Sequence, residues 1–208
     1  MNNSLKYRIN QITEDHGSWW ITKARNFRLK ISQFYYGLIQ KRICYFKGIR
    51  LGKRCRFYGV AYFWRSQYSK IIIGDNCTFR SDQSSNLIGV NHRTIISTHR
   101  KDAKIIIGDN CGFSGASIGA AKEIIIGNNV LCGANVVITD FDWHLDILNV
   151  QPKSIIIHDN VWIGLNSVVL KGVEIGENSI IGANSLVLTN IPANVIAAGN
   201  PCKVLKSR

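Results

Sequence analysis

The sequence predicts an all-β chain wound as a parallel β-helix, behind a helical N-terminal extension and broken by a protruding loop. Three observations carry this. One unit recurs, as IIIGDNC at 71–77 and again at 105–111, IIIGNNV at 124–130, IIIHDNV at 155–161 and VEIGENS at 173–179. Beneath it runs a beat of six, clearest at Ile157, Ile163, Val169, Ile175, Ile181 and Val187. An asparagine follows three places after the beat residue at Asn76, Asn110, Asn129, Asn135, Asn160, Asn166, Asn178 and Asn184. A six-residue beat reads as a short strand plus a corner, with three such units closing one coil and the beat residue pointing inward where coils stack. The corner needs a residue that tolerates the left-handed backbone region, which asparagine and glycine do at least cost. A helical period of 3.6 is absent from these stretches.

The first 48 residues lack the beat. Phe27 to Lys47, FRLKISQFYYGLIQKRICYFK, mixes apolar residues with cations and reads as one or two helices, with Gly37 a weak point. The whole chain of 208 residues carries +13, and the excess is local. No acid occurs between His16 and Gly74, where 13 of the 26 bases lie, while the rest of the chain is neutral. A charge confined to one region argues against general nucleic-acid binding. Two readings of the extension stand: a cap on the first coil or on a partner subunit, and an in-plane helix on an anionic membrane.

Residues 49–192 form the β-helix and 193–208 a C-terminal tail. Asn86 to Lys104 is irregular between coils. A sharper break follows Ile138. The next coil is due at 144 but begins at Ile157, so 13 residues are inserted and a loop leaves from about Thr139 to Lys153. It reads ITDFDWHLDILNVQPKS. Loops on a rigid scaffold commonly carry function, and this one holds His144, with Asp140, Asp142 and Asp146 as carboxylates able to orient an imidazole.

The six cysteines, Cys44, Cys55, Cys77, Cys111, Cys132 and Cys202, show no C-x-x-C spacing and read as small inward-facing thiols. No apolar run approaches the roughly 20 residues of a membrane span. The opening MNNSLKYRIN has no apolar core after its charges, which predicts a cytoplasmic protein. His92 and His99 lie off the repeat phase, so the chain is read as metal-free. His158 replaces a repeat glycine and reads as a surface corner.

The run VWIGLNSVVLKGVEIGENSIIGANSLVLTNIPANVIAAGNPCKVLK, Val161 to Lys206, resembles the C-terminal half of hexapeptide-repeat O-acetyltransferases. That group includes maltose, galactoside, xenobiotic and surface-polysaccharide enzymes. The resemblance, over about residues 49–206, implies a left-handed β-helix, a homotrimer, acetyl-CoA as co-substrate and a saccharide acceptor. It implies His144 as the catalytic base. Leu165, Ala183, Leu188 and Thr189 would touch the CoA arm through backbone groups, with Lys203 and Lys206 near its phosphates. Thr189 departs from the lysine common there. On the acceptor side it points to Ser114, with Asp142 and Trp143 on the loop; Trp162 reads as packing at the subunit contact. The implied function is O-acetylation of a saccharide during surface-polysaccharide assembly, at the inner face of the membrane if the extension binds there. Alternatives are acetylation of a xenobiotic or a nucleotide amino sugar, and a non-catalytic β-helix binding membrane or polysaccharide.

Overall fold

The computed structural model describes residues 16–143 and 151–208. Among these residues one α-helix, α1 (His16–Phe46), leads into twenty short strands, of which all but the last wind as a left-handed parallel β-helix. Each coil places one strand on each of three faces. On the first face stack β1 (Arg50–Leu51), β4 (Lys70–Ile73), β7 (Lys104–Ile107), β10 (Glu123–Ile126), β13 (Ile155–Ile157) and β16 (Glu174–Ile175). The second face holds β2 (Arg56–Tyr58), β5 (Thr78–Arg80), β8 (Gly112–Ser114), β11 (Leu131–Ala134), β14 (Trp162–Ile163), β17 (Ile180–Ile181), β19 (Val195–Ala198) and β20 (Lys203–Ser207). The third holds β3 (Tyr62–Trp64), β6 (Ile95–Thr98), β9 (Ser117–Ala120), β12 (Val137–Thr139), β15 (Val168–Val169) and β18 (Leu186–Val187).

Register puts the beat residues in columns. Ile73, Ile107, Ile126, Ile157 and Ile175 pair coil over coil and all are buried. The second column begins aromatic: Phe57, Phe79 and Phe113 stack with ring centroids 4.9 and 5.5 Å apart. Offset stacking adds to their area burial. The six cysteines are free and buried. Cys55, Cys77 and Cys111 each donate to the carbonyl of Gly74, Gly108 and Gly127 respectively, one coil on, at 3.3, 3.2 and 3.1 Å.

The corners explain the asparagines. All eight have φ between 55° and 59°. Five of them, with Asn194, form a side-chain ladder up one edge. Asn76 Nδ2 donates to Asn110 Oδ1 at 3.1 Å, and the pattern continues through Asn129, Asn160, Asn178 and Asn194. Alanine in that conformation costs about 1–2 kcal/mol, and each net hydrogen bond contributes about 1 kcal/mol. Asn129→Ala, which loses two ladder bonds, is therefore expected to destabilise by about 3–4 kcal/mol. Asn129→Gly, which keeps the backbone freedom, should lose only the hydrogen-bond share. Parallel denaturant unfolding of both variants separates the two contributions.

The structure sharpens the sequence reading in three places. The extension is a single 31-residue helix that runs through Gly37. The stretch Asn86 to Lys104 is not irregular throughout. The insertion lies between β5 and β6, and β6 pairs in register with β3 and β9. Its bulk hides the beat at Ile96. Residues 193–208 add β19, parallel to β17, and β20, which turns back antiparallel on β19.

One face of α1 is fastened to the first coils. Gln40 Nε2 donates to the Ala61 carbonyl at 3.2 Å and Tyr58 Oη donates to Gln33 Oε1 at 3.2 Å. Lys47 Nζ donates to the Phe63 carbonyl, and Arg25 Nη2 to that of Ser84 at 2.9 Å. Cys44 and Ile49 bury with them. The helix thus covers the N-terminal end of the coil stack. Among the described residues no helix is long and apolar enough to cross a membrane.

Candidate functional site

The insertion after β12 departs from a braced corner. Asp140 is fully buried, and its carboxylate accepts the backbone N–H groups of Ala121 at 2.6 Å, Lys122 at 2.8 Å and Glu123 at 2.6 Å. Its own carbonyl receives the Lys153 N–H at 2.9 Å, so both ends of the insertion are tied to one residue. Three backbone donors suit an ionised carboxylate, because charge-assisted bonds are about twice as strong as neutral ones. Asp140 is thereby committed to the scaffold. Asp142 instead pairs with Lys171 Nζ from the coil below.

An aromatic cluster stands on this corner. Trp143 packs on His99 edge to face at 4.6 Å and on Phe141 at 4.7 Å, while His99 and Phe141 are 5.1 Å apart. Trp143 also crosses Gly119, where a Cβ would meet its ring at 3.0 Å. Trp143 is 57% exposed. His99 Nε2 bonds Ser97 Oγ at 2.8 Å. Burial lowers the His99 pKa, opposed by the charge of Asp140. The unfolded imidazole titrates near 6.5, so stability is fully present above that pH. It falls as the pH drops towards the lower folded value, where the unfolded chain takes up a proton the fold refuses. Thermal melting followed from pH 7.5 to 5.5 should show this loss, and His99→Gln should flatten it.

His144 and Asp146 lie outside the described residues. Trp143 and Asp142, immediately before them, are held at the corner between the third and first faces. Leu188 and Thr189 follow β18 at this same corner, both exposed. Leu165 and Ala183 stand at a different one, between the second and third faces. Lys203 and Lys206 are exposed on β20. A cavity of about 530 Å³ over the second face joins Ser114, Trp162 and Leu165 with Arg56, Arg80 and Asn86. Ser114 Oγ accepts from Asn86 Nδ2 at 3.1 Å. Within one chain, then, the expected residues fall into two groups on separate edges of the prism. His92 lies apart, its Nδ1 against the Arg93 carbonyl, and His158 bonds Glu174 at 2.7 Å on the surface. Among the described residues no three metal-ligating side chains converge.

Sequence reasoning missed Lys171 and His99 as neighbours of the loop base. Counting the beat from Ile96 through Ile118 to Ile138 places His99 at the corner of Asp140, and that count was the available signal.

Residues 154–189 match the family described as bacterial transferase hexapeptide (six repeats). The galactoside O-acetyltransferase of Escherichia coli is 43% identical over 88 residues, 40% of this chain and 43% of that protein. The 2,3,4,5-tetrahydropyridine-2,6-dicarboxylate N-acetyltransferase of Staphylococcus aureus is 38% identical over 84 residues, 39% of this chain and 32% of that protein. The matched region thus spans less than half the length of these relatives. A solved structure, a variant of AntD, an N-acyltransferase from Bacillus cereus in complex with dTDP and coenzyme A, superposes with a TM-score of 0.62 at 19% identity. It covers 81% of this chain and 88% of that one, and shares the fold.

Proposed function

We propose that this chain transfers the acetyl group of acetyl-CoA to a hydroxyl of a saccharide, working as a homotrimer in surface-polysaccharide assembly. The observation that carries this reading is the braced insertion at Asp140. It presents Trp143, the residue before His144 in the sequence, on a coil stack similar to acetyltransferases at about 40% identity.

The chemistry needs a base and a donor site. The imidazole of His144 takes the hydroxyl proton as the oxygen attacks the thioester carbonyl. The tetrahedral intermediate collapses, the sulfur leaves, and the imidazolium returns the proton to it. The products are an acetyl ester and free CoA; no metal takes part. Because Asp140 is committed to backbone donors and Asp142 is paired with Lys171, Asp146 and backbone carbonyls are the remaining groups to orient the ring. Leu165 and Ala183 contact the pantetheine arm, Leu188 and Thr189 its continuation, and Lys203 and Lys206 the phosphates. Ser114, Asp142 and Trp143 border the acceptor.

Separation of the loop corner from the Leu165 and Ala183 corner supports a site completed by a neighbouring subunit. Light scattering is expected to give a trimer, near three times 23.3 kDa. The direct test is thiol release from acetyl-CoA with galactoside and maltoside acceptors, and mass spectrometry of the product. An acetyl ester supports the reading; acetylation of amine acceptors alone favours a nucleotide-amino-sugar or xenobiotic enzyme. No binding of acetyl-CoA by calorimetry would leave a non-catalytic β-helix.

A further inference from the structure

The face of α1 turned away from the coils is apolar along its whole length. At about 100° per residue, Trp20, Phe27, Ile31, Phe34, Leu38 and Tyr45 fall within about 40° of one line. They are 64, 67, 54, 72, 46 and 81% exposed. On the same projection Lys23, Lys30 and Lys41 flank the line on one side and Arg28 and Arg42 on the other, about 40–80° away. The sixth cation, Arg25, projects to the opposite face, where it bonds the Ser84 carbonyl. Gln33, Gln40 and Cys44 project there too and make the contacts that fasten the helix.

We propose that α1 docks flat on an anionic phospholipid bilayer, its apolar stripe in the headgroup boundary and its five flanking cations among the lipid phosphates. From Trp20 to Tyr45 the stripe is about 38 Å long on a helix of 31 residues. Aromatic and aliphatic side chains on one line with lysine and arginine beside it suit that interface, and the long cationic side chains reach the headgroups while their stems lie along apolar surface. Charge selects the occupant. From His16 to Gly74 the chain holds no acid. A second copy of α1 would therefore bring the same cations against these, whereas an anionic leaflet complements them. The opposite face is already pinned to β2 and its neighbours, so docking requires no unfolding of the cap. The proposal is independent of the acetyl-transfer reading.

The experiment is co-sedimentation of the full chain with vesicles of phosphatidylcholine alone or mixed with phosphatidylglycerol. Binding to the mixed vesicles is expected, with little to the neutral ones. Each cation contributes about fivefold, so Lys30→Gln with Lys41→Gln should weaken binding about 25-fold. Salt near 1 M, where the Debye length is about 3 Å, should weaken it further. Phe27→Ser with Phe34→Ser should abolish binding at unchanged charge and leave thermal melting unchanged, since both side chains are exposed. Equal binding to neutral vesicles, or no binding to either, overturns the proposal. So does a Phe27→Ser, Phe34→Ser variant that loses subunits by light scattering, which would show a second copy on the stripe. Acetyl-CoA affinity, measured on the same variants, should not move, and this separates failure here from failure of the acetyl-transfer reading.

Discussion

Replacing His144 by alanine is expected to lower kcat by about 10²–10⁴, the range for a general base. Affinity for acetyl-CoA should change far less than turnover, because of the proposed donor contacts only Leu188 and Thr189 share the loop corner, while Leu165, Ala183, Lys203 and Lys206 lie elsewhere on the coil stack. The fold should survive, because the columns of buried isoleucine, phenylalanine and valine are built by the coils. In the unsubstituted protein the rate should rise with pH through the imidazole range, near 6.5, because only the neutral ring accepts a proton. Acceptor-dependent CoA release from pH 5 to 9 measures both effects. His92→Ala is the control: its ring lies apart, against the Arg93 carbonyl, and activity should be kept. His99 is a poorer control, since it carries Trp143. Near-normal turnover in His144→Ala would remove the mechanism.

Asp140→Ala is expected to be the most damaging single change at the loop base. It strips the partner from three backbone N–H groups at 2.6–2.8 Å. An unsatisfied buried donor costs about 1–3 kcal/mol. The Ala121 group is buried, whereas Lys122 is exposed and can turn to water. The sum is about 3 kcal/mol, which at this chain length lowers Tm by roughly 6–12 °C. Turnover should fall as well, because the anchor of the His144 loop is gone. Asp140→Asn keeps the volume but turns an amide N–H towards backbone donors, so it should rescue little. Differential scanning fluorimetry beside the CoA-release assay distinguishes these outcomes. A variant with unchanged Tm would show that the corner holds without its carboxylate.

The coil stack was largely legible because each beat residue repeats one physical demand, a small apolar side chain facing its counterparts above and below. Asparagine at the corners was legible for the same reason, and all eight adopt the left-handed conformation. Where the demand changes chemistry the pattern fades. Phe57, Phe79 and Phe113 fill a column with rings, and the beat is hard to see in a search for aliphatics. The strand at Ile95–Thr98 was hidden because the insertion before it shifts the count. The role of Asp140 was not legible, since its partners are backbone groups that leave no trace in residue identity. Of the candidate site, the inserted loop was visible as a missed beat. The separation of its corner from that of Leu165 and Ala183 emerges only once the three faces are assembled.

The buried thiols give this protein a built-in record of its own opening. Cys44 sits in α1, Cys55, Cys77, Cys111 and Cys132 in four successive coils, and Cys202 at the C-terminal reversal. Burial pushes Cys44 and Cys132 up to about 12. The bond to the neighbouring thiol, with burial, raises Cys77 to about 12 and raises Cys55 too. Thiolate is the reactive species, so an alkylating reagent finds little to attack while the coils stay closed. Each sulfur becomes accessible only when the element that carries it parts from its neighbour. A timed alkylation pulse followed by peptide mapping would therefore read, without any introduced label, whether the stack frays from the helical end, from the reversal, or from the middle.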